Sequence, residues 1–318
     1  MSPRRQGQHV LLVGPGWLGQ AVADALAADG AAVWTLRRSA ASTPDAQSAH
    51  GGITALKGDI RAVGPDTTPV PPWVHQLPDR LDAIVVCVAP SRSAGDDHAG
   101  TYPAALQGAL RLAERQHCPL VLYTSSTGVY GRTDGGESRE SDVLTERDPR
   151  QGALLTAERV LMNDAVAPAV SRIILRVAGL YGPGRDPAPR FRASPPATGD
   201  DDVWCNFSWR DDVIAAIDTL IPRDRPPASL PADHGATRIY NCADGTPLRA
   251  STIARALGAP EPVAIGEVSS PARPVPPSGR SNQRIVVDAL RATGWTPRMT
   301  TVFDGLRALG HTPHSATD

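Results

Sequence analysis

The run His9-Val10-Leu11-Leu12-Val13 leads straight into Gly14-Pro15-Gly16-Trp17-Leu18-Gly19, and alanine-rich helical spacing comes next, from Gln20 to Ala28. A short apolar run that ends in glycine reads as a buried parallel strand. Gly30 then stops the helix. The pattern G-x-G-x-x-G says little alone, but between a strand and a helix it has a mechanical meaning. Gly14 permits the tight turn, Gly16 lets backbone approach a pyrophosphate, and Gly19 lets helix and strand pack closely. The helix N-terminus then faces the anion. The sequence therefore predicts a dinucleotide site, with Trp17 and Leu18 as further contacts in the same turn.

The alternation continues along the chain. Strands are expected at Ala32–Leu36, Leu81–Val88, Pro119–Thr124, Arg172–Val177 and Arg238–Cys242. Helices are expected at Tyr102–Gln116, Leu154–Ala165, Asp211–Ile221 and Ser251–Leu257, and two short ones at Val286–Thr293 and Val302–Leu309. Strands alternating with helices imply an α/β fold, a Rossmann-type doubly wound parallel sheet. Beyond Gly179 the texture changes. Gly182–Asp202 reads as a long loop, and Ser269–Arg280 as a Pro-rich connector. The expected division is a Rossmann domain over 9–180, with 207–242 returning to it. Residues 181–206 and 243–318 are expected to form a smaller C-terminal α/β substrate cap.

Composition narrows the function classes. The chain has 318 residues, 41% apolar and 20% charged, an ordinary globular balance. Its 32 basic and 33 acidic residues leave a net charge of -1, which gives no surplus for a phosphate backbone and argues against nucleic-acid binding. No apolar run reaches the ~20 residues of a membrane span. The polar start Met1–His9 does not resemble a signal peptide, so a cytoplasmic location is expected. Cys87, Cys118, Cys205 and Cys242 are far apart, with no metal-ligand spacing, and read as reduced thiols.

Which dinucleotide is bound turns on the end of the second strand, where a carboxylate would hold the ribose 2'-hydroxyl of NAD. Arg37 and Arg38 stand there instead, with Ser39 beside them. Two guanidiniums can meet a 2'-phosphate in bidentate fashion, so NADP(H) is expected in preference to NAD(H). Asp59 and Ile60 come just after the place where a third strand would end, and Asp59 could accept from the adenine amino group. Ala89, just past Leu81–Val88, is a further expected contact.

Several segments resemble the extended short-chain dehydrogenase/reductase superfamily. Thr124-Ser125-Ser126-Thr127-Gly128-Val129-Tyr130-Gly131 resembles its S-S-x-x-V-Y-G signature. Leu175–Arg185 resembles its L-R-x-x-x-x-Y-G-P-G-R segment. Trp209-Arg210-Asp211-Asp212-Val213 is similar to its V-x-D-V helix start, and Ile239–Cys242 to its Y-N-x strand. With the glycine turn, the likeness runs from about residue 9 to about residue 309. The combination resembles the atypical YeeZ-like branch of the NAD(P)-dependent epimerase/dehydratase-like proteins. The resemblance implies a Rossmann domain with a substrate cap, and hydride transfer at an alcohol or ketone, or epimerisation and dehydration through a transient ketone. It also implies a Ser/Thr hydroxyl acting beside a Tyr-x-x-x-Lys pair, and a homodimer.

The chain departs from that pattern at the pair. Lys57 is its only lysine, and Ile53 stands four residues before it. Alignment through Thr156-Ala157-Glu158-Arg159 puts Arg150 in the Tyr slot and Leu154 in the Lys slot. A guanidinium does not cycle a proton easily, and leucine carries no charge. Three readings stay open: a reductase with a non-standard proton source, redox-neutral chemistry around a bound dinucleotide, and a non-catalytic NADP sensor. For the first, Ser126, Thr127, Arg150 and Tyr102 are the candidate catalytic residues, with Arg150 stabilising an oxyanion; Tyr130 could lie nearby.

On the substrate side Arg185, Trp209, Arg280 and Arg284 are the candidates. Arg190, Arg192 and Arg210 belong to the same arginine-rich region, interleaved with Trp204 and Phe207. Guanidiniums and aromatic walls suit a small, anionic, partly planar molecule. Asp96-Asp97-His98 reads as a polar surface turn, and His311-Thr312-Pro313-His314 as a frayed tail.

Overall fold

The structure, a computed structural model, describes residues 4–38, 52–65, 69–89, 98–163, 165, 167–193, 196–223, 235–260 and 281–314. Ser39, Asp96, Asp97, Arg280 and the Pro-rich connector up to it lie outside the described residues. In chain order the strands are β1 (His9–Val13), β2 (Ala32–Arg37), β3 (Ile53–Lys57), β4 (Ala83–Val86), β5 (Leu120–Ser126), β6 (Glu137–Ser138), β7 (Ser171–Val177), β8 (Gly179–Tyr181), β9 (Trp204–Cys205), β10 (Phe207–Trp209), β11 (Thr237–Cys242), β12 (Leu248–Arg249) and β13 (Arg284–Ile285). The helices are α1 (Trp17–Ala28), α2 (His98–Arg115), α3 (Pro149–Met162), α4 (Ala188–Arg192), α5 (Arg210–Leu220), α6 (Ala250–Ala256), α7 (Asp288–Arg291) and α8 (Val302–Ala308).

Seven strands form the main sheet in the order β11-β7-β5-β4-β1-β2-β3. The pairs β1–β2, β1–β4, β2–β3 and β4–β5 are parallel. Strand order reverses at β1 and β4, and that is where a doubly wound sheet opens its ligand crevice. The chain divides into two compact units. The first comprises residues 1–126, 149–176 and 214–240; the second comprises 127–148, 177–213 and 241–318. The segment 127–148, expected within the Rossmann part, therefore belongs to the second unit, as does 207–213.

The core of the first unit arises from its sequence. All four residues of β4 and the last four of β1 are buried, as continuous apolar runs in a parallel sheet require. Leu106, Leu110 and Ala113 of α2 join Ala157 and Leu161 of α3 over Ile84, Val121 and Tyr123. Gly108 lets α2 sit on the turn Ile60–Ala62, because a Cβ there would run into the Ile60 carbonyl. One polar group is built into this packing. The fully buried Glu158 of α3 receives the Arg176 guanidinium at 2.7 and 3.1 Å and the Ser125 hydroxyl at 2.6 Å. The bidentate contact fixes α3 against β5 and β7.

The second unit has its own core, in which Tyr181 packs edge-on against Phe207 and Trp209, with Phe191, Ile253, Val302 and Leu306 around them. Gly305 makes room for the Tyr181 ring, since a Cβ there would collide with it.

Several boundaries differ from expectation. Helix α3 starts at Pro149, not Leu154, so Arg150 lies in its first turn. The expected loop 182–202 contains α4. The expected helix 286–293 follows strand β13 and turns helical only at Asp288, because Ile285-Val286-Val287 is a β-branched run that favours extended backbone. The expected frayed tail is docked: the His314 backbone donates to Ala256, and the His311 ring meets the Asp186 carboxylate at 2.7 Å.

Removing one partner of the Glu158 ion pair leaves a buried charge uncompensated. Arg176→Met is therefore expected to cost about 3–5 kcal/mol in urea unfolding. A loss within experimental error would show that Glu158 does not depend on the pair.

Candidate functional site

In the first unit the carboxyl ends of β1, β2, β4 and β5 carry the expected site residues. Gly14 has φ +84°, a left-handed conformation that suits glycine. A Cβ there would stand 2.9 Å from the Cys87 carbonyl oxygen, so β1 and the end of β4 approach backbone to backbone. A Cβ on Gly19 would run into the Gly14 carbonyl. Gly16 faces open space and caps α1 with no side-chain hydrogen bond, and no acidic residue occupies the first turn. The N–H groups at the start of α1, beside Trp17 and Leu18, thus have no side-chain cap among the described residues. That arrangement fits a pyrophosphate.

Arg37 is drawn over this turn. Its Nη2 lies 3.4 Å from the Pro15 carbonyl and from Gln20 Oε1, while its buried Nε has no hydrogen-bond partner among the described residues. Lys57 is its register partner on β3, and Arg38 is close enough to bias the Asp59 carboxylate. Sequence reading overlooked Lys57 here, although strand pairing alone brings it beside Arg37. Asp59 is occupied differently from the expectation. Its carboxylate caps the turn at Ile60 by accepting from the Arg61 backbone at 2.9 Å, and it holds the Arg61 guanidinium at 2.7 Å. Burial raises this carboxyl, but the Arg61 contacts outweigh it and hold the group below the usual range. Asp59 is thus a turn cap before anything else. Ile60 is buried under α2, and Ala89 lies beyond the end of β4, just after the residues that approach Gly14.

The catalytic candidates of this unit occupy the same edge. Ser126 ends β5, Tyr102 lies near the start of α2 and Arg150 opens α3. Helices α2 and α3 pack side by side on β5. The Tyr102 ring is 6.4 Å from that of Tyr123. Burial raises the Tyr102 phenol, and the Arg150 cation pulls it back down. Leu154, in the slot of the missing lysine, is buried. The Cys87 thiol, beside Thr124, is pushed up to about 11 by burial and stays protonated.

The remaining candidates belong to the second unit. Thr127 is buried, and its carbonyl accepts from Gln283. Tyr130 is spent on structure: its hydroxyl donates to the buried Asn241 at 2.7 Å. Trp209 also departs from expectation, because it is buried edge-on against Tyr181, where its apolar area stabilises the core and it cannot wall a ligand. Arg185 is exposed in the tight turn closed by Gly182. Arg284 lies on β13 above the indole of Trp204. Sequence reading also missed a cleft of about 400 Å³ lined by Tyr130, Arg132, Thr133, Ser138, Asp142 and Arg147. Arg132 is neutralised there by Asp134 at 2.7 Å and Asp142 at 3.6 Å. Among the described residues no cluster of His, Cys, Asp and Glu is arranged to hold a metal ion, and no helix is long and apolar enough to cross a membrane.

A glycine turn opening onto an uncapped helix N-terminus, at the switch point of a doubly wound sheet, is the layout of a dinucleotide-binding α/β protein. The comparisons agree. The NAD dependent epimerase/dehydratase family matches residues 10–226, and this chain belongs to it. Protein YeeZ of Escherichia coli K12 is 31% identical over 247 residues, which are 76% of this chain and 80% of YeeZ. A structure from Methylobacillus flagellatus, assigned to the NAD-dependent epimerase/dehydratases, superposes with a TM-score of 0.69 at 29% identity, covering 95% of this chain and 97% of its own. MoeE5 in complex with UDP-glucuronic acid and NAD superposes with a TM-score of 0.67 at 19% identity, covering 94% of this chain and 96% of its own. At that identity the likeness is one of fold.

Asp244 gives the second unit a pH signature. Its Oδ1 accepts from the Thr246 backbone, while its buried Oδ2 has no hydrogen-bond partner among the described residues. Burial, reinforced by Asp304 and Asp212 and opposed by Thr246 and Arg291, pushes its carboxyl up to about 7. The folded chain therefore holds this proton at pH values where the unfolded chain, with a carboxyl near 4, has lost it. Stability contributed by the protonated form is expected to fall as pH rises from about 4 to about 7. Asp244→Asn should flatten that part of the urea-unfolding profile; an unchanged slope would contradict the assignment.

Proposed function

We propose that the chain is an NADP-dependent reductase of a small anionic metabolite, with Tyr102 and Arg150 supplying the proton chemistry that a Tyr-x-x-x-Lys pair performs elsewhere. The observation that carries the reading is the Arg150 cation acting on the Tyr102 phenol, with Ser126 at the carboxyl end of β5 in the same unit. A bound dinucleotide would supply the hydride. Tyr102 would donate its phenolic proton to the substrate oxygen, since a phenol raised by burial stays protonated until charge develops beside it. Arg150 would stabilise the resulting phenolate without titrating, and water would restore the proton. Ser126 would orient the carbonyl by hydrogen bonding.

The preference for NADP rests on Arg37, with its unpartnered Nε, on Arg38 and on Lys57, and on the absence of a carboxylate at the end of β2. The substrate class rests on the arginine-rich second unit. The family name favours a second reading, in which hydride leaves and returns and no cofactor is consumed; the same side chains would serve it.

Two measurements test the catalytic part. Arg150→Ala should raise the phenol titration of Tyr102 further, read as phenolate absorbance against the Tyr102→Phe background. In NADPH oxidation against a panel of small keto acids and imines, Tyr102→Phe should lower turnover by about 100-fold or more. Oxidation that proceeds equally well without the Tyr102 hydroxyl would reject it as the proton source. Substrate turnover with no net NADPH consumption would favour the redox-neutral reading.

A further inference from the structure

In the second unit one indole is shared by two cations. The Arg249 guanidinium lies 4.3 Å from the Trp204 ring centroid, and that of Arg284 lies 5.7 Å from it. Backbone pairing builds the arrangement. Strands β9 and β12 are antiparallel and place Arg249 opposite Trp204; β13 runs parallel to β6 and carries Arg284. Two asparagines tie these ribbons together. Asn282 accepts from the Trp204 backbone at 3.0 Å. Asn206 donates to the Gln283 carbonyl and accepts from the Ile285 backbone, both at 2.8 Å. Arg249 is anchored by one bond, from Nη1 to the Asp202 carbonyl at 2.5 Å, and Arg284 by another, from Nε to the Gly135 carbonyl at 3.1 Å.

The carboxylates closest in the chain pairing are engaged elsewhere. Glu137, in register with Arg284, holds Arg139 at 2.8 Å. The Asp202 side chain accepts from the Ser251 backbone and hydroxyl, both at 2.8 Å. Among the described residues, neither Arg249 nor Arg284 forms an ion pair, and both terminal nitrogens of Arg284 are left without a hydrogen bond. Two like charges held on one aromatic ring repel each other, and a shared anion would relieve that repulsion. A guanidinium fork matches the two oxygens of a carboxylate or phosphate. Glycine at position 135, with φ +76°, leaves the indole edge clear of a side chain.

We propose that Arg249 and Arg284, set on the Trp204 indole, form a binding site for the carboxylate or phosphate group of a small molecule. As an anion site it stands on the second unit alone. That it anchors the substrate rests on the reductase reading above.

Isothermal titration of the full chain with inorganic phosphate and, separately, with benzoate tests the site. Saturable binding of at least one probe is expected, and the one bound more tightly tells phosphate from carboxylate. Arg284→Gln and Arg249→Gln should each weaken it tenfold or more, and Arg284→Lys should recover only part of the loss, because it restores charge without the fork. Near-ultraviolet circular dichroism of each variant confirms the fold. The proposal is overturned if neither probe binds, or if both Gln variants bind as the parent does. NADPH titrated into the parent chain in parallel separates the two claims. Anion binding without NADPH binding would reject the reductase reading and keep the site; NADPH binding without anion binding would do the reverse.

Discussion

Backbone meets backbone where β1 turns into α1, and the rest of the first unit is arranged around that approach. Side chains at Gly14 or Gly19 would force β1, β4 and α1 apart. Without them the helix N-terminus is presented at the point where strand order reverses. The same edge gathers the carboxyl ends of β2, β4 and β5, and Arg37 comes to the turn by topology, not by sequence proximity. The buried Ser125–Glu158–Arg176 network holds α3 in place beside this edge, and with it Arg150. A group placed on the first turn of a helix inherits the precision of that packing.

The loss of the Tyr-x-x-x-Lys pair has a physical consequence that goes beyond two missing side chains. In that pair, acid and cation share one helix. Here the apolar Leu154 closes the lysine position, and the nearest cation, Arg150, comes one turn earlier on α3. The phenol it influences is on α2. The two helices pack against each other.

Much of the first unit was legible in the sequence because buried parallel strands announce themselves. The apolar runs at 9–13, 83–86 and 171–177 have no competing explanation, and the glycine turn is a local motif. The second unit was less legible. Its strands are two or three residues long, too short for a period to register, and side-chain bridges from Asn206 and Asn282 do the work of a ladder. Arg249 carried no signal at all, because only the β9–β12 pairing brings it to Trp204. Trp209 and Tyr130 misled for a related reason. In their motifs Trp209 suggests a ligand wall and Tyr130 a neighbour of the catalytic residues, yet here one fills a core and the other bonds to Asn241. Asp59 was found correctly as a turn-end carboxylate, but Arg61, two residues on, determines what it holds.

The proposed function depends on a phosphorylated dinucleotide being held at the glycine turn by Arg37 and its neighbours. Calorimetric titration with NADPH and NADH, on the parent chain and on Arg37→Asp, tests this most directly. The parent should bind NADPH more tightly, and the acidic replacement should remove or invert that preference while keeping NADH binding. No heat with either nucleotide, or tighter NADH binding by the parent, would contradict it.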